Sequence, residues 1–463
     1  MTKRFLVFAS ALLLLLGALL LSEGRQSEVN SVVHQHLVSP SEDPEKTGFN
    51  MVGDLTTHLP LLILDTRGQI IPGAAGRTEQ ELQCDLHIID NPSGLNSSRD
   101  LPTQSTPIAI AVRGNSSRIF PKKQYSIRTV DSSGLTADVP LLGMPAESSW
   151  VLNGSYIDHS LIRNYMLYNI SGEIMAYAPR VRLCEVLCTD GQGRQEYLGV
   201  YCLIEKNKVC ENRLFLNPYD PAYIQTPFLL QTNTHIDAQE IFHLKPDNLR
   251  VLRTELIYPD PEDITGASLE YIRSTILTFE KMLYDASITG DWSRINDAVD
   301  LNTFVDYYII NEFCQNYDAG TRSTYLYRDL GGKISIGPVW DFDGTFNNFF
   351  GIDLDIRGLE LKTSFYYYYL VDDPKFVELC SQRYPQLRQT LLSDEYLLSY
   401  IDACEDYLGS AALRNCDRWY QNRHDFYYDD LQKMRDFVVN RGKAMDLVFV
   451  SQSQIIRQEV NLP

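Results

Sequence analysis

Asp341 and Asp343, within Lys333–Asn348 (K-I-S-I-G-P-V-W-D-F-D-G-T-F-N-N), have the types and spacing to do chemistry. Ile334 and Ile336 alternate with Lys333 and Ser335, so the stretch begins as a strand that Gly337 and Pro338 punctuate. On an extended backbone, residues two apart project to one side. Both carboxylates then come together, with Trp340 and Phe342 turned away. Carboxylates so close repel each other and raise a pKa unless a cation lies between them. Mg²⁺, held by one or two carboxylates plus substrate phosphates, is the simplest such cation. D-x-D-G is also ordinary turn chemistry, so the surrounding chain has to decide.

A second candidate lies upstream. Arg113-Gly114-Asn115-Ser116-Ser117-Arg118 reads as a Gly/Ser turn leading into a strand, Pro121–Arg128, that carries Lys122 and Lys123. Backbone N–H groups of such a turn can cradle phosphate, and a lysine on the adjoining strand can reach it. An ordinary hairpin with solvated basic residues has the same sequence. Between the two candidates, Asn316–Ser323 forms a loop before the strand Thr324–Tyr327. Asp318 therefore sits at the mouth of a hairpin whose far strand runs on to Asp341 and Asp343.

The elements that must position these residues divide the chain. Leu59–Asp65, Cys84–Ile89 and Ile108–Arg113 read as short strands separated by Gly, Asn and Ser clusters, so 56–210 is mostly β. Within it, a helix opens near Asp158–Asn164 and runs to about Tyr177, with Asp158 or Ser160 as cap and Leu161, Tyr165 and Tyr168 on one face. Val181–Cys188 and Tyr197–Glu205 form a hairpin. A register centred near Gly193 sets Cys184 opposite Cys202, as a disulfide or as buried free thiols. Residues 211–455 read as mainly helical: Ile272, Ile276, Phe279 and Leu283 keep a helical stripe. Thr303–Asp306 reads as a capping box for a helix to about Gln315, and Asp373-Pro374 as a cap with a first-turn proline. The fold class is α+β.

Composition narrows the function. With 463 residues, 44% hydrophobic and 22% charged, the chain is an ordinary globular protein of one large or two medium domains. A net charge of −19 argues against an extended nucleic-acid surface, which needs clustered Lys and Arg. Lys3 and Arg4 precede the apolar run Phe5–Leu21, so 1–24 reads as a signal peptide or signal anchor and the chain as extracytoplasmic, secreted or membrane-anchored. Residues 25–55 are a polar linker. Nine cysteines without metal spacing do not form a zinc site.

Five blocks in register resemble the CotH kinase family (spore coat protein H and its relatives). They are R-G-N-S-S-R with P-K-K-Q-Y-S-I (113–127), W-V-L-N-G-S-Y-I-D-H-S-L-I-R-N (150–164), G-V-Y-C-L-I-E-K (199–206), N-Y-D-A-G-T-R-S-T-Y-L-Y-R-D (316–329) and G-P-V-W-D-F-D-G-T-F (337–346). The resemblance spans roughly 56–450. It implies an atypical protein-kinase-like fold, with a β-rich N-terminal lobe and a mostly helical C-terminal lobe around ATP. It also implies Mg²⁺-dependent phosphoryl transfer to Ser/Thr hydroxyls of a protein substrate.

Carried over residue by residue, Asp341 and Asp343 are the metal carboxylates and Asp318 the catalytic-loop carboxylate. Lys123, ahead of Lys122, is the phosphate-contacting lysine. Trp340 is a nucleotide-site aromatic, Glu205 marks the segment between the lobes, and Arg113, Gly114, Ser116 and Ser117 form the phosphate turn. This chain departs from the family's D-x-x-x-x-N pattern by placing Ser323, a weaker metal ligand, at the Asn position. A competing function is a non-catalytic surface protein that uses the aromatic run Phe365–Tyr369 to bind protein or glycan. A glycosidase is disfavoured, because carboxylates two apart on one strand cannot flank a sugar.

Overall fold

The computed structural model describes residues 54–73, 80–233, 240–241, 253–349 and 353–460. The expected export segment 1–24, and the 25–55 linker up to residue 53, lie outside the described residues. Among the described residues no helix is long and apolar enough to cross a membrane.

The first half is β-rich. It runs through β1 (Thr56–Thr57), β2 (Leu61–Asp65), β3 (Leu82–Ile89), β4 (Asn96–Ser97), β5 (Gln104–Arg113), β6 (Gln124–Thr129), β7 (Val139–Leu141), β8 (Met144–Glu147) and β9 (Ser149–Asn153). Helix α1 (Arg163–Ile174) follows, then β10 (Val181–Thr189) and β11 (Gln195–Glu205). The strands close a barrel in the order β10-β11-β9-β6-β5-β3-β2, shut by parallel pairing of β2 with β10. Its interior is packed with Leu62, Leu86, Ile110, Trp150 and Leu203.

β10 and β11 are apolar on both faces because each face is covered. Cys184, Val186 and Tyr201 point into the barrel, whereas Leu183, Val200 and Cys202 point out into the helical core. This corrects the expected register: Cys184 pairs with Tyr201 and Cys202 with Leu183. The two thiols face opposite sides of the sheet, which excludes a disulfide between them, and both are free and buried.

The second half is helical but carries a sheet that helical periodicity could not reveal. β12 (Phe228–Thr232), β13 (Glu240–Ile241), β14 (Thr254–Tyr258), β15 (Thr324–Arg328) and β16 (Ser335–Ile336) are ordered β13-β14-β12-β15-β16. The expected hairpin is present as β15–β16, with Leu326 opposite Ile336. Its far strand ends at Ile336, well short of the aspartates. Around this sheet pack α2 (Gly266–Thr289), α3 (Ser293–Ala298), α4 (Leu301–Phe313), α5 (Phe365–Leu370), α6 (Pro374–Arg388), α7 (Asp394–Leu408), α8 (Ser410–Trp419) and α9 (His424–Val460).

Helix starts differ where side chains found other partners. α4 is capped by Asp300, which accepts from the Asn302 N–H at 3.2 Å; Thr303 lies one turn inside, and Asp306 pairs with Arg383 of α6. α6 starts as expected, with Asp373 accepting from the Lys375 N–H at 2.9 Å and Pro374 in the first turn. α1 begins at Arg163 because Asp158 is spent on the preceding turn, accepting from the N–H groups of Ser160 and Arg163. Buried on nearly every face, α1 is a wedge between barrel and helices, not a one-sided stripe. The aromatic run is also internal: Phe365, Tyr366, Tyr367 and Tyr369 are buried and only Tyr368 is exposed. It offers no aromatic face for protein or glycan.

Candidate active site

The chain between β16 and α5 is built around the two aspartates, but not on an extended backbone. Asp341 has φ of +66°, in the left-handed region that aspartate tolerates better than most residues. Neighbouring elements hold it there. The Asp341 N–H donates to Tyr168 Oη at 3.1 Å, and the Phe342 N–H donates to Asn164 Oδ1 at 2.9 Å. Asn164 Nδ2 in turn donates to Asp343 Oδ1 at 2.5 Å, and Asn153 Nδ2 to Asp343 Oδ2 at 3.3 Å. Both Asn164 and Tyr168 come from α1, so the wedge helix sets the loop. Just beyond it, Arg163 Nε donates to the Thr345 carbonyl.

The aspartates look into a cleft of about 370 Å³, within the roughly 300–1,000 Å³ usual for small-molecule sites. Of the residues singled out from sequence, Arg113, Gly114, Ser117, Asp318, Ser323, Trp340, Asp341 and Asp343 line it. Asp343 is buried and Asp341 half-buried. Burial, then the Asp318 charge, pushes the Asp341 carboxyl up. Burial, then Asp341, pushes Asp343 well above the usual carboxylate range. Neither forms an ion pair with a lysine or arginine among the described residues; Ser323 Oγ donates to Asp341 Oδ2 at 3.2 Å. Two buried acids with this little compensation favour a cation in the cleft.

Asp318 faces them across the cleft from the 316–323 loop. Its N–H donates to Asn316 Oδ1, and its Oδ1 pairs with Arg322 Nη1 at 2.8 Å. On the opposite wall, Gly114 has φ of +110°, and a Cβ there would lie 1.9 Å from Ser117 Oγ, so the tight turn needs glycine. Arg113 spans the wall at the end of β5. Its Nη1 donates to Gln124 Oε1 at 3.1 Å, and its guanidinium lies 5.9 Å from the Trp340 ring centroid.

The remaining sequence candidates lie elsewhere. Both lysines precede β6 instead of sitting on it. Lys122 is fully buried, its Nζ donating to the Val200 carbonyl and to Asn415 Oδ1 of α8. Lys123 Nζ donates to the Arg118 carbonyl. Glu205 is buried in ion pairs with Arg180 at 2.7 Å and Arg213 at 3.7 Å. Ser116 belongs to the short 3-10 turn after Gly114.

Sequence reasoning missed the amides Gln124, Gln231 and Asn316 and the aromatics Tyr156 and Phe349 on the cleft wall. It also missed Asn153, Asn164 and Tyr168 behind the aspartates. The signal for the two asparagines was available, since both fall within the 150–164 block already singled out.

A model of the CotH kinase protein family matches residues 110–445, from the strand carrying Arg113 through most of α9. The chain belongs to that family. The match takes in the aspartate loop, the helix that braces it and the 316–323 loop, so the CotH kinase assignment covers every wall of the cleft. No curated relative matches the chain.

Proposed function

We propose that the barrel (within 56–210) and the helical part (211–455) are two lobes of an atypical protein-kinase-like fold that clasps ATP and Mg²⁺. On this reading the protein transfers the γ-phosphoryl group to a protein hydroxyl. The observation that carries it is the pair of buried carboxylates, Asp341 and Asp343, facing Arg113 and Asp318 across one cleft.

The donor set suits the ion. Among the described residues no group of three His, Cys, Asp or Glu gathers to cage a metal. Two carboxylates and the Ser323 hydroxyl leave coordination positions for phosphate oxygens and water, as Mg²⁺ prefers. Bound there, the ion would neutralise charge on the phosphate oxygens. Arg113 takes the phosphate-binding role expected of a lysine, since both candidate lysines are bonded away from the cleft. Trp340 and the amides of Gln124 and Gln231 supply a stacking face and hydrogen bonds for the nucleoside. Asp318 orients the acceptor hydroxyl and takes its proton. The acceptor oxygen bonds to the γ-phosphorus as the bond to the β,γ-bridging oxygen breaks, and the electron pair leaves on ADP.

Thermal unfolding with and without nucleotide tests the reading. Mg-ATP at 100 times its Kd should stabilise the protein by about 2.7 kcal/mol, and ATP with EDTA by less. An unchanged melting temperature in saturating Mg-ATP would leave no nucleotide site.

A further inference from the structure

Arg113 and Arg322 are the basic residues lining the cleft among those described, and they stand in different company. Arg113 lies over Trp340, and its charge acts on Asp341. Arg322 meets Asp318 and, among the described residues, forms no other side-chain hydrogen bond. A guanidinium carries five donors in a rigid fork, and this one spends only one contact, at 2.8 Å, with its side chain 38% exposed.

The backbone under it is locked. The Arg322 N–H donates to the Asp318 carbonyl at 2.8 Å. The Arg322 carbonyl accepts from Thr324 Oγ1 at 2.8 Å, and that buried hydroxyl also accepts from the Gly320 N–H at 2.8 Å and lies 3.1 Å from Tyr307 Oη. Gly320, at φ of +77°, sits so close to Ser364 that a Cβ would come within 2.6 Å of it. The loop therefore presents a half-exposed guanidinium from a fixed base, paired with Asp318 in the same cleft that Asp341 lines.

We infer that Arg322 reads the phosphoacceptor and that the preferred acceptor is a hydroxyl with an acidic residue beside it. The inference rests on the kinase reading. A carboxylate beside the acceptor can take the free donors of the fork in bidentate fashion. It then competes with Asp318 for the guanidinium and frees Asp318 Oδ1 for the acceptor hydroxyl. Substrate binding and release of the base become one event. A basic neighbour is repelled by the same group.

Three peptides identical except for Glu, Gln or Lys on both sides of a single acceptor serine test this, with the full chain, Mg-ATP and labelled γ-phosphate. Peptide affinity is read in parallel by fluorescence anisotropy in saturating Mg-ATP, so that the ratio is obtained even where turnover is slow. Glu should exceed Gln by roughly five- to thirty-fold, the effect of one or two kcal/mol. Arg322→Gln should bring that ratio to about one, and Arg322→Glu should turn the preference toward Lys. Equal peptides in the wild type would overturn the inference. So would a ratio that survives in Arg322→Gln while all three peptides slow together, because Arg322 would then only orient Asp318. Absence of both nucleotide binding and transfer would instead bring down the kinase reading, and this inference with it.

Discussion

Three carboxylates share the cleft, and their surroundings differ. Burial and a neighbouring carboxylate push Asp341 and Asp343 up, whereas Asp318 is half-buried and already paired with Arg322. Asp341→Asn keeps the left-handed backbone, which asparagine tolerates, so its effect should be electrostatic: Mg-ATP affinity and phosphoryl transfer should fall together. On the proposed reading, Asp318→Asn leaves the cation site intact. Nucleotide should still bind while transfer drops by roughly 10²–10⁴-fold, as for other general acid–base groups. Calorimetry and γ-phosphate transfer on both variants check the division. Nucleotide binding lost in Asp318→Asn alone would reverse the two roles. Spacing picked out the aspartate pair, yet by a geometry the chain does not use. The strand stops at Ile336, and the carboxylates meet because Asn164 and Tyr168 pin the main chain between them. For Lys122 and Lys123 adjacency in sequence carried no information about direction, and direction decides whether a lysine meets phosphate or a carbonyl.

Among the elements, α1 does most to hold the site, and it is anchored at its start by a buried ionic cluster. Arg163 Nη1 lies 2.5 Å from Asp158 and 2.6 Å from Asp430 of α9, with Nη2 at 2.9 Å from the second Asp430 oxygen. Arg163 holds Asp430 below its ordinary carboxyl range despite burial. Arg163→Met leaves two buried carboxylates facing each other, and removing one partner of such a cluster costs about 3–5 kcal/mol. Urea unfolding should show a loss of that order, and Mg-ATP affinity should fall as well, since Arg163 also holds the Thr345 carbonyl behind the aspartate loop. A loss under about 1 kcal/mol would mean that the cluster adds little. Caps and stripes made α2 and α6 readable because their signals are local. Strands β12 and β14 beside the expected β15 were not, since short runs such as Phe228–Thr232 fit helix and strand alike. Barrel closure was unreadable for a related reason: β2 and β10 pair across more than a hundred residues of chain, and nothing local marks the partner.

At the scale of the molecule, the barrel and the helical half are joined by polar stitching between β10, β11 and α8. Arg414 grips Glu185 through Nε at 2.9 Å and Nη2 at 2.7 Å, and Trp419 Nε1 donates to the Leu198 carbonyl at 2.9 Å. Gly199, at φ of +107°, lets Asn415 approach so closely that a Cβ would sit 2.5 Å from Asn415 Oδ1. Lys122 closes this seam from the barrel side, its ammonium 4.8 Å from the Tyr201 ring centroid and bonded to Asn415. Burial lowers its pKa from 10.5 to about 7, against the opposing pull of Cys202 and Asp158. Between those pH values the unfolded chain holds a proton that the folded chain lacks, so stability from this group rises with pH. The gain starts near pH 7, is complete above the unfolded value, and is lost again as pH falls through about 7. Lys122→Met removes the titration while keeping most of the side-chain length. The stability difference, wild type minus variant, should therefore climb between pH 7 and about 9.5 by up to about 1.4 kcal/mol per pH unit. Urea midpoints across that range measure it. Parallel pH profiles would mean that Lys122 stays protonated at the seam, with its two acceptors and the Tyr201 ring compensating fully for the water it has lost.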